Sequence, residues 1–288
     1  MNELRTKEER RYQFFWGVFF ILISVIALVP LLRVLAMSFS SKNAITKGEV
    51  LIFPVGFNLD AYKKVFSNGS FIGSFGYSVV LMVAAVAINM VMTILLAYPL
   101  SRKGLKGTGI VSVMCVLTMY INAGTIPNYF NVKDFGLINT VWALLSPNAL
   151  SVYNMIIMRT AFKSIDDSLY EAARIDGCGE FKIMYRIAIP LCVPTIATLC
   201  LFYAVGRWNG FEDILYYTQK SSLYTVQMAL KQMIEAIKIQ AEEGQTTQLV
   251  QDNIKSASIV ISMTPMLVVY PFIQRFFTQG IMLGAVKG

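Results

Sequence analysis

The sequence predicts an all-α membrane protein with six transmembrane helices. Of its 288 residues, 56% are hydrophobic and only 15% are charged, and the mean hydropathy is +0.57. These values lie outside the range of soluble globular domains. Six windows without Asp, Glu, Lys or Arg are long enough to cross a bilayer, which takes about 20 apolar residues in a helix.

The predicted spans follow these windows along the chain. They lie at about residues 14–35, 71–100, 108–131, 137–158, 187–206 and 256–275. The first span has the basic flank of a cleaved signal peptide, but its apolar run of 19 residues exceeds the roughly 7–15 of a signal core. It is therefore predicted to be a retained span, and the whole chain is treated as one membrane domain.

The basic residues predict the orientation in the membrane. The face that holds both termini and the loops 102–106 and 159–186 carries 14 of the 25 Lys and Arg residues. This face is predicted to be cytoplasmic, so the chain is expected to be a multi-pass plasma-membrane protein with both termini inside. Residues 37–70 and 207–255 then form extracytoplasmic loops. The net charge of +8 is explained by topology and lipid headgroups, without a nucleic-acid partner.

Residues that commonly carry chemistry are few. Histidine is absent, and Cys115, Cys178, Cys192 and Cys200 lack metal-ligand spacing, so no catalytic or metal site is predicted. None of the six windows contains an ionisable Asp, Glu, Lys or Arg of the kind that ion-coupled carriers keep near the membrane midplane. Driving energy is therefore expected to enter outside the spans.

The polar segment 159–186, between the fourth and fifth spans, reads as two short helices. Ser164 and Asp167 are predicted to form a capping-box-like start, and Gly177 stands where a left-handed C-cap belongs. Pro190 is expected to begin the fifth span or to kink it. In the first helix Phe162, Ile165, Leu169 and Ala172 are predicted to line one apolar face, and in the second Phe181, Met184 and Ala188 recur at helical spacing.

This segment contains the most specific motif in the chain. It reads Glu171-Ala172-Ala173-Arg174-Ile175-Asp176-Gly177 and, after nine further residues, Ile187-Ala188-Ile189-Pro190. The arrangement resembles the cytoplasmic signature of ATP-binding-cassette (ABC) importer permeases, Glu-Ala-Ala, three variable residues, Gly, nine variable residues and Ile-x-Leu-Pro. Ile189 replaces the usual Leu. The resemblance covers nearly the whole chain and is greatest to maltose-transporter-like carbohydrate permeases of bacteria, in particular those of Gram-positive oligosaccharide and polysaccharide uptake systems.

The resemblance implies the type I ABC importer permease fold and a transport subunit that is not itself an enzyme. The implied partners are a homologous second permease in a heterodimer, two ABC ATPase subunits that hold ATP and Mg, and an extracytoplasmic sugar-binding lipoprotein. The implied cargo is a carbohydrate, specifically an oligosaccharide. The chain lacks a Gly-x-x-x-x-Gly-Lys-Ser/Thr phosphate loop and is expected to bind no cofactor. The implied ATPase-coupling residues are Glu171, Ala172, Ala173, Arg174, Asp176, Gly177, Phe181, Ile187 and Pro190.

Polar residues within apolar spans are candidates for the substrate pathway. Amides suit sugar hydroxyls, and aromatic rings suit the apolar faces of pyranoses. The alternative is that these side chains form ordinary hydrogen bonds between helices. The candidates are Asn122, Asn154, Asn89, Tyr153 and Tyr120, with Tyr203 a further aromatic residue near them.

Two other function classes stay open at this point. A polytopic membrane enzyme acting on lipid-linked sugars would need clustered acids at the membrane boundary, and Asp166 with Asp167 is such a pair, although acids at a helix start also favour the helix dipole. An ion-coupled secondary carrier is disfavoured by the uncharged spans. The polar segment itself could alternatively be an amphipathic hairpin lying on the membrane surface.

Overall fold

A computed structural model describes residues 7–242 and 252–285, which are helical and contain no β-strand. These residues fall into two compact units, one made of 7–72, 230–242 and 252–264, and the other of 73–229 and 265–285. The helices in chain order are α1 Lys7–Ser38, α2 Lys42–Thr46, α3 Asp60–Ser67, α4 Gly69–Ser101, α5 Thr108–Tyr120, α6 Thr125–Asp134, α7 Trp142–Leu145, α8 Val152–Lys163, α9 Asp167–Ile175, α10 Glu180–Ile183, α11 Ile189–Leu191, α12 Val193–Asn209, α13 Glu212–Tyr217, α14 Val226–Glu242 and α15 Asp252–Ala285.

The first two predicted spans are uninterrupted helices. α1 and α4 are the two described helices that are by themselves long and apolar enough to cross a membrane. The apolar side chains of α1 are exposed from Tyr12 to Leu32, as expected for a helix that faces lipid rather than a protein core, whereas Ala36 near its end is buried.

The third and fifth predicted spans are each divided between two helices that meet at a sharp bend. α5 and α6 meet at an angle of 119°, and the helical stretch 180–191 meets α12 at 82°. The first break follows from a turn in which the side-chain Oδ1 of Asn122 accepts a hydrogen bond from the backbone N–H of Gly124, 2.9 Å away, with Gly124 at φ 89°. The second break lies at Cys192, within the turn that precedes Pro194. A proline lacks the N–H that would bond four residues back and its ring clashes with that carbonyl, so it breaks the helix there. A π-helix over Met184–Ala188 precedes Pro190.

The structure differs from the sequence prediction at the fourth window. Residues 137–158 hold no continuous helix; they contain the four-residue α7 and the start of the 12-residue α8. The window lacks charges but carries turn residues, among them Asn139 at φ 61° and the pair Pro147-Asn148. Absence of charge therefore identified an apolar region there without identifying a helix. At the sixth window α15 is continuous, and the side chains of 270–285 lie outside the described ones.

The largest buried cluster of the second unit joins the polar segment to the ends of two long helices. It includes Ala97 and Tyr98 of α4, Phe162 of α8, Tyr170 of α9 and Ile183 of α10. The hairpin of α9 and α10 is thus packed against α4 and α8.

Candidate functional site

The first helix of the polar segment, α9, begins at Asp167 and is capped by Asp166. The Asp166 side chain accepts a hydrogen bond from the backbone N–H of Ser168, 2.9 Å away. The prediction that Ser164 caps this helix is wrong, because Ser164 has helical backbone angles and is the C-cap of α8. An N-cap needs an extended backbone, which Asp166 supplies at ψ 130°.

The turn between α9 and α10 is the one that the sequence predicts. Gly177 has φ 77°. The N–H of Gly177 donates to the carbonyl of Arg174 at 3.0 Å, and the N–H of Cys178 donates to the carbonyl of Ala173 at 2.9 Å. These two bonds form a Schellman motif, which requires a left-handed residue and so favours glycine.

The buried side of the hairpin differs from the predicted one. Tyr170, Ala173 and Ile183 are buried, whereas Leu169, Ala172 and Phe181 are exposed. The predicted face assumed one helical register from Phe162 onward. Phe162 belongs to α8, and residues 164–166 interrupt the helix, so the register restarts at Asp167.

Three contacts, which we call the hairpin clamp, tie the hairpin to the C-terminal end of α4. Lys103 Nζ lies 2.5 Å from an Asp167 carboxylate oxygen, and the guanidinium of Arg102 lies 3.5 Å above the Tyr170 ring. The Tyr98 hydroxyl donates to Glu180 Oε2 at 3.0 Å. Each contact joins a residue of 98–103 to one of the two hairpin helices.

Glu180 bonds both to α4 and to the other helix of the hairpin. The Nε and Nη2 atoms of Arg174 donate to Glu180 Oε1 at 2.9 and 2.7 Å. Partial burial tends to raise the pKa of Glu180, but the hydrogen bonds from Arg174 and Tyr98 outweigh it and hold this pKa below its usual value. The hydrogen bond from Lys103 likewise lowers the pKa of Asp167. Both carboxylates are therefore ionised at neutral pH.

The hairpin also presents apolar side chains to its surroundings. Ile175, Phe181 and Tyr185 are 87%, 78% and 72% exposed. Asp176, next to Ile175, and Glu171, four residues before Ile175, are also exposed. Neither forms an ion pair within the described part of the chain. Large exposed apolar side chains on an otherwise polar, rigidly held hairpin are typical of a surface that binds another protein.

The nine predicted coupling residues divide into residues that hold the hairpin and residues on its surface. Ala173 is buried, Arg174 bonds to Glu180, Ile187 is half-buried and Gly177 forms the turn. The exposed residues are Glu171, Ala172, Asp176, Phe181 and Pro190. Sequence reasoning missed four residues of this network: Tyr98, Arg102, Lys103 and Glu180. The contacts of Tyr98, Arg102 and Lys103 with the hairpin join positions far apart in the chain, so the sequence near them gives no sign of these contacts.

A cavity of about 1170 Å³ lies in the second unit, bordered by α4, α6, α8, α12 and α13. Of the five predicted pathway residues, Asn89, Asn122 and Asn154 line it. Tyr120 and Tyr153 do not and are 82% and 57% exposed. Tyr153 and Asn154 are adjacent on α8, so they point about 100° apart and only one of them faces the cavity.

Sequence reasoning missed four further asparagines of the cavity wall, which come from segments predicted as spans or loops: Asn128, Asn131, Asn148 and Asn209. Tyr203, an aromatic residue of the predicted fifth span, also lines the cavity. Its hydroxyl lies 2.7 Å from the Thr93 hydroxyl and accepts a hydrogen bond from the Ser151 N–H at 3.2 Å.

Two of the three predicted pathway amides, Asn89 and Asn122, make no hydrogen bond between helices through their Oδ1 atoms in the described part of the chain. Asn89 Oδ1 is buried without a hydrogen-bond partner among the described residues. Asn122 Oδ1 makes only the local bond to Gly124. In the described part of the chain these two amides therefore do not act as the interhelical hydrogen-bonding groups that the alternative interpretation required.

Comparison with known proteins shows one family over almost the full length. The family "Binding-protein-dependent transport system inner membrane component" matches residues 9–283. Protein LplC of Bacillus subtilis (strain 168) is 39% identical over 269 residues, which is 92% of this chain and 91% of LplC. The polygalacturonan/rhamnogalacturonan transport system permease protein YtcP of the same organism is 36% identical over 274 residues, 94% of this chain and 96% of YtcP.

Two solved structures share the fold. One is a bacterial ABC transporter involved in the import of the acidic polysaccharide alginate, with a TM-score of 0.88 and 30% identity, covering 96% of this chain and 100% of that chain. The other is a bacterial alginate ABC transporter in complex with an alginate pentasaccharide-bound periplasmic protein, with a TM-score of 0.57 and 20% identity, covering 92% and 93% of the two chains.

Proposed function

Since the chain belongs to the family of inner membrane components of binding-protein-dependent transport systems, we propose that it forms one half of the pore of an ATP-driven importer for oligosaccharide. The family resemblance drawn from the 171–190 signature is confirmed, as is the all-α type I importer permease fold. The chain is thus a transport subunit.

The carbohydrate cargo is supported by the relatives and by the cavity. YtcP is described as a permease for polygalacturonan and rhamnogalacturonan, and the 30% identical solved structure belongs to an alginate importer. The cavity of this chain presents amide side chains, which both donate to and accept from hydroxyl groups. Such groups match a sugar better than they match an ion or a lipid chain.

The proposed assembly contains a second permease, two ABC ATPase subunits and an extracytoplasmic sugar-binding lipoprotein. ATP and Mg are held by the ATPases, and this chain supplies no cofactor-binding site. The chain crosses the plasma membrane several times with both termini in the cytoplasm, so that residues 159–186 face the ATPases and the outer loops face the lipoprotein.

The observation that carries this function is the exposed apolar hairpin held by the clamp. Closure of the ATPases on ATP draws the hairpin with them. Because Lys103, Arg102 and Tyr98 tie the hairpin to α4, the motion passes to a membrane-spanning helix, and the cavity opens outward to accept sugar. Hydrolysis returns the cavity to the inward state.

The clamp also weakens the case for a membrane enzyme. Asp166 caps α9, and Asp167 pairs with Lys103. The acidic pair that such an enzyme would use is therefore engaged in holding the hairpin.

The test is sugar uptake into vesicles by the assembled complex carrying Glu171→Ala or Phe181→Ala. Uptake is expected to fall at least about tenfold while the ATPases lose their transport-stimulated activity, since a few exposed anchor side chains carry most of the energy of an interface. Leu105→Ala is the matched control, because Leu105 is an exposed apolar residue of the neighbouring loop. Full uptake by both hairpin variants would contradict the proposed coupling role.

A further inference from the structure

The cavity wall contributed by this chain is rich in amides and poor in available positive charge. Seven asparagines line the cavity, and they come from several helices and loops: Asn89, Asn122, Asn128, Asn131, Asn148, Asn154 and Asn209. An amide offers two donors and a carbonyl acceptor, so it can satisfy a hydroxyl group in either direction. A carboxylate accepts hydrogen bonds only and is held best by a guanidinium or an ammonium group.

The one cation among the described lining residues is already neutralised. Arg207 of α12 forms a bidentate ion pair with Asp213 of α13, and Arg207 Nη1 also donates to the backbone carbonyl of Leu144 at 3.0 Å. The two side chains of the pair are only 9% and 11% exposed. Breaking a buried pair of this kind leaves an uncompensated charge, so Arg207 is not free to receive a sugar carboxylate.

The cavity wall also contains a second acidic residue. Glu212, next to Asp213 at the start of α13, lines the cavity and is exposed. The charged residues among the described lining residues are therefore Arg207, Glu212 and Asp213. Glu212 forms no ion pair within the described part of the chain. A uronic acid entering here therefore meets a neutralised cation and a carboxylate of its own sign, which repels it.

We propose that the cavity wall of this chain selects uncharged oligosaccharide and disfavours uronic acid polymers. This inference rests on the proposed sugar-import function and specifies its substrate. It separates this chain from the relatives named for acidic polysaccharides. In this protein the Arg207–Asp213 pair sets the charge preference, because Asp213 withholds the cation that an acidic sugar would need.

The test measures equilibrium binding to the complete permease–ATPase complex in lipid nanodiscs, without the lipoprotein, so that the receptor does not impose its own preference. The probes are matched pairs that differ only at C6: α-1,4-galactotriose with trigalacturonate, and maltotriose with its triglucuronate counterpart. The neutral member of a pair is expected to bind at least about tenfold more tightly. Tighter binding of the acidic member would overturn the charge preference.

The substitution Asp213→Asn keeps the size and hydrogen-bonding shape of residue 213 and frees the charge of Arg207. It is expected to shift the acidic-to-neutral binding ratio by about tenfold toward the acidic member. Glu212→Gln removes the same formal charge without freeing Arg207, and a smaller shift is expected. Equal shifts in both variants would show that net charge, rather than the pair, determines the preference.

Asn89→Asp provides a second test that leaves the ion pair intact, should Asp213→Asn assemble poorly. A new carboxylate in the cavity wall is expected to weaken binding of the acidic probe more than that of the neutral probe. A parallel loss for both probes would contradict the inference. If no probe of either kind bound the wild-type complex, the sugar pathway itself would be overturned rather than its charge preference.

Discussion

The Tyr98 hydroxyl donates a 3.0 Å hydrogen bond to the Glu180 carboxylate, joining two positions 82 residues apart. Tyr98 lies three residues before the end of α4, and Glu180 is the first residue of α10. One bond thus connects a predicted membrane span directly to the hairpin. In the account given above, this is where movement of the hairpin enters the membrane.

Tyr98→Phe is expected to reduce the coupling of transport to ATP hydrolysis without preventing assembly. The substitution removes the bond to Glu180 and leaves the Arg174–Glu180 pair in place. A hydrogen bond to a charged group contributes about 1.5–3 kcal/mol, and the half-exposed Glu180 side chain places this one toward the low end. The measurement is sugar transported per ATP hydrolysed, which should fall severalfold.

Tyr120→Phe is the control for Tyr98→Phe. Tyr120 is an 82% exposed tyrosine that lies outside both the hairpin and the cavity wall, and loss of its hydroxyl should leave the transport ratio unchanged. Equal ratios in Tyr98→Phe and the wild type would show that the bond has no part in coupling.

Gly177→Ala is expected to destabilise the hairpin by about 1–2 kcal/mol. No heavy atom lies within 4 Å of a Cβ added at Gly177, so the cost comes from its φ of 77° and not from a clash. Gly177→Asn should recover part of the loss, since Asn tolerates the left-handed conformation. Amide hydrogen exchange across 167–183 measures the effect.

Gly179→Ala is a matched control two residues away. Gly179 also has open space at its Cβ, but its φ is −71°. Protection from exchange should fall less in Gly179→Ala than in Gly177→Ala, because Gly179 is the N-cap of α10, where Ala is a poorer cap than Gly but meets no left-handed strain. Equal losses of exchange protection in Gly177→Ala and Gly179→Ala would show that the left-handed conformation of Gly177 is not the cause of the destabilisation.

The clamp is expected to loosen on acidification. Hydrogen bonding lowers the pKa values of Glu180 and Asp167 in the folded protein. A depressed carboxyl pKa gives stability that is present above the unfolded value, about 4, and is lost as the pH falls through the folded value. Hydrogen exchange in α9 and α10, corrected for intrinsic rates, should therefore stay constant from about pH 8 to 5 and rise below about pH 4.

Glu180→Gln serves as the reference for this pH profile. Without the carboxylate, the exchange in α10 should be faster at neutral pH and should depend less on pH in the acidic range. A steep acidic transition of unchanged size in Glu180→Gln would assign the loosening to other groups.

Asn154→Leu is expected to reduce sugar uptake by about tenfold or more, because a buried site loses a polar group that would pair with sugar hydroxyls. Asn154 lines the cavity, whereas its neighbour Tyr153 does not. Tyr153→Leu on the same turn of α8 should therefore retain most of the uptake. The measurement is the initial rate of sugar uptake into vesicles at equal amounts of protein. A larger loss of uptake in Tyr153→Leu than in Asn154→Leu would contradict a substrate pathway through this cavity.

The sequence predicted the features that depend on local chemistry. The Gly177 turn follows from a conformational preference of a single residue, and the apolar character of α1 and α4 follows from composition. The signature of residues 171–190 identified the family. The helical register of α9 was predicted wrongly because the cap at Asp166 competes with Ser164 only two residues earlier, and the choice depends on backbone angles.

Features that depend on distant contacts could not be predicted. Nothing near Tyr98 in the sequence indicates its bond to Glu180, and nothing near Arg207 indicates that its partner Asp213 lines the same cavity as Asn89. Bends raise the same difficulty, because the 119° angle between α5 and α6 turns an apolar window into two short helices. The direction of the chain after such a bend determines which polar side chains line the same cavity.

A photo-crosslinking amino acid at position 181, where Phe181 is 78% exposed on the hairpin, tests whether the hairpin binds an ATPase subunit. In the assembled complex in vesicles, a covalent adduct with an ATPase subunit is expected, and its yield should change when a non-hydrolysable ATP analogue is added. The same probe at position 105 should give a much weaker adduct. Adducts at position 181 with lipid alone, and none with an ATPase, would contradict the account.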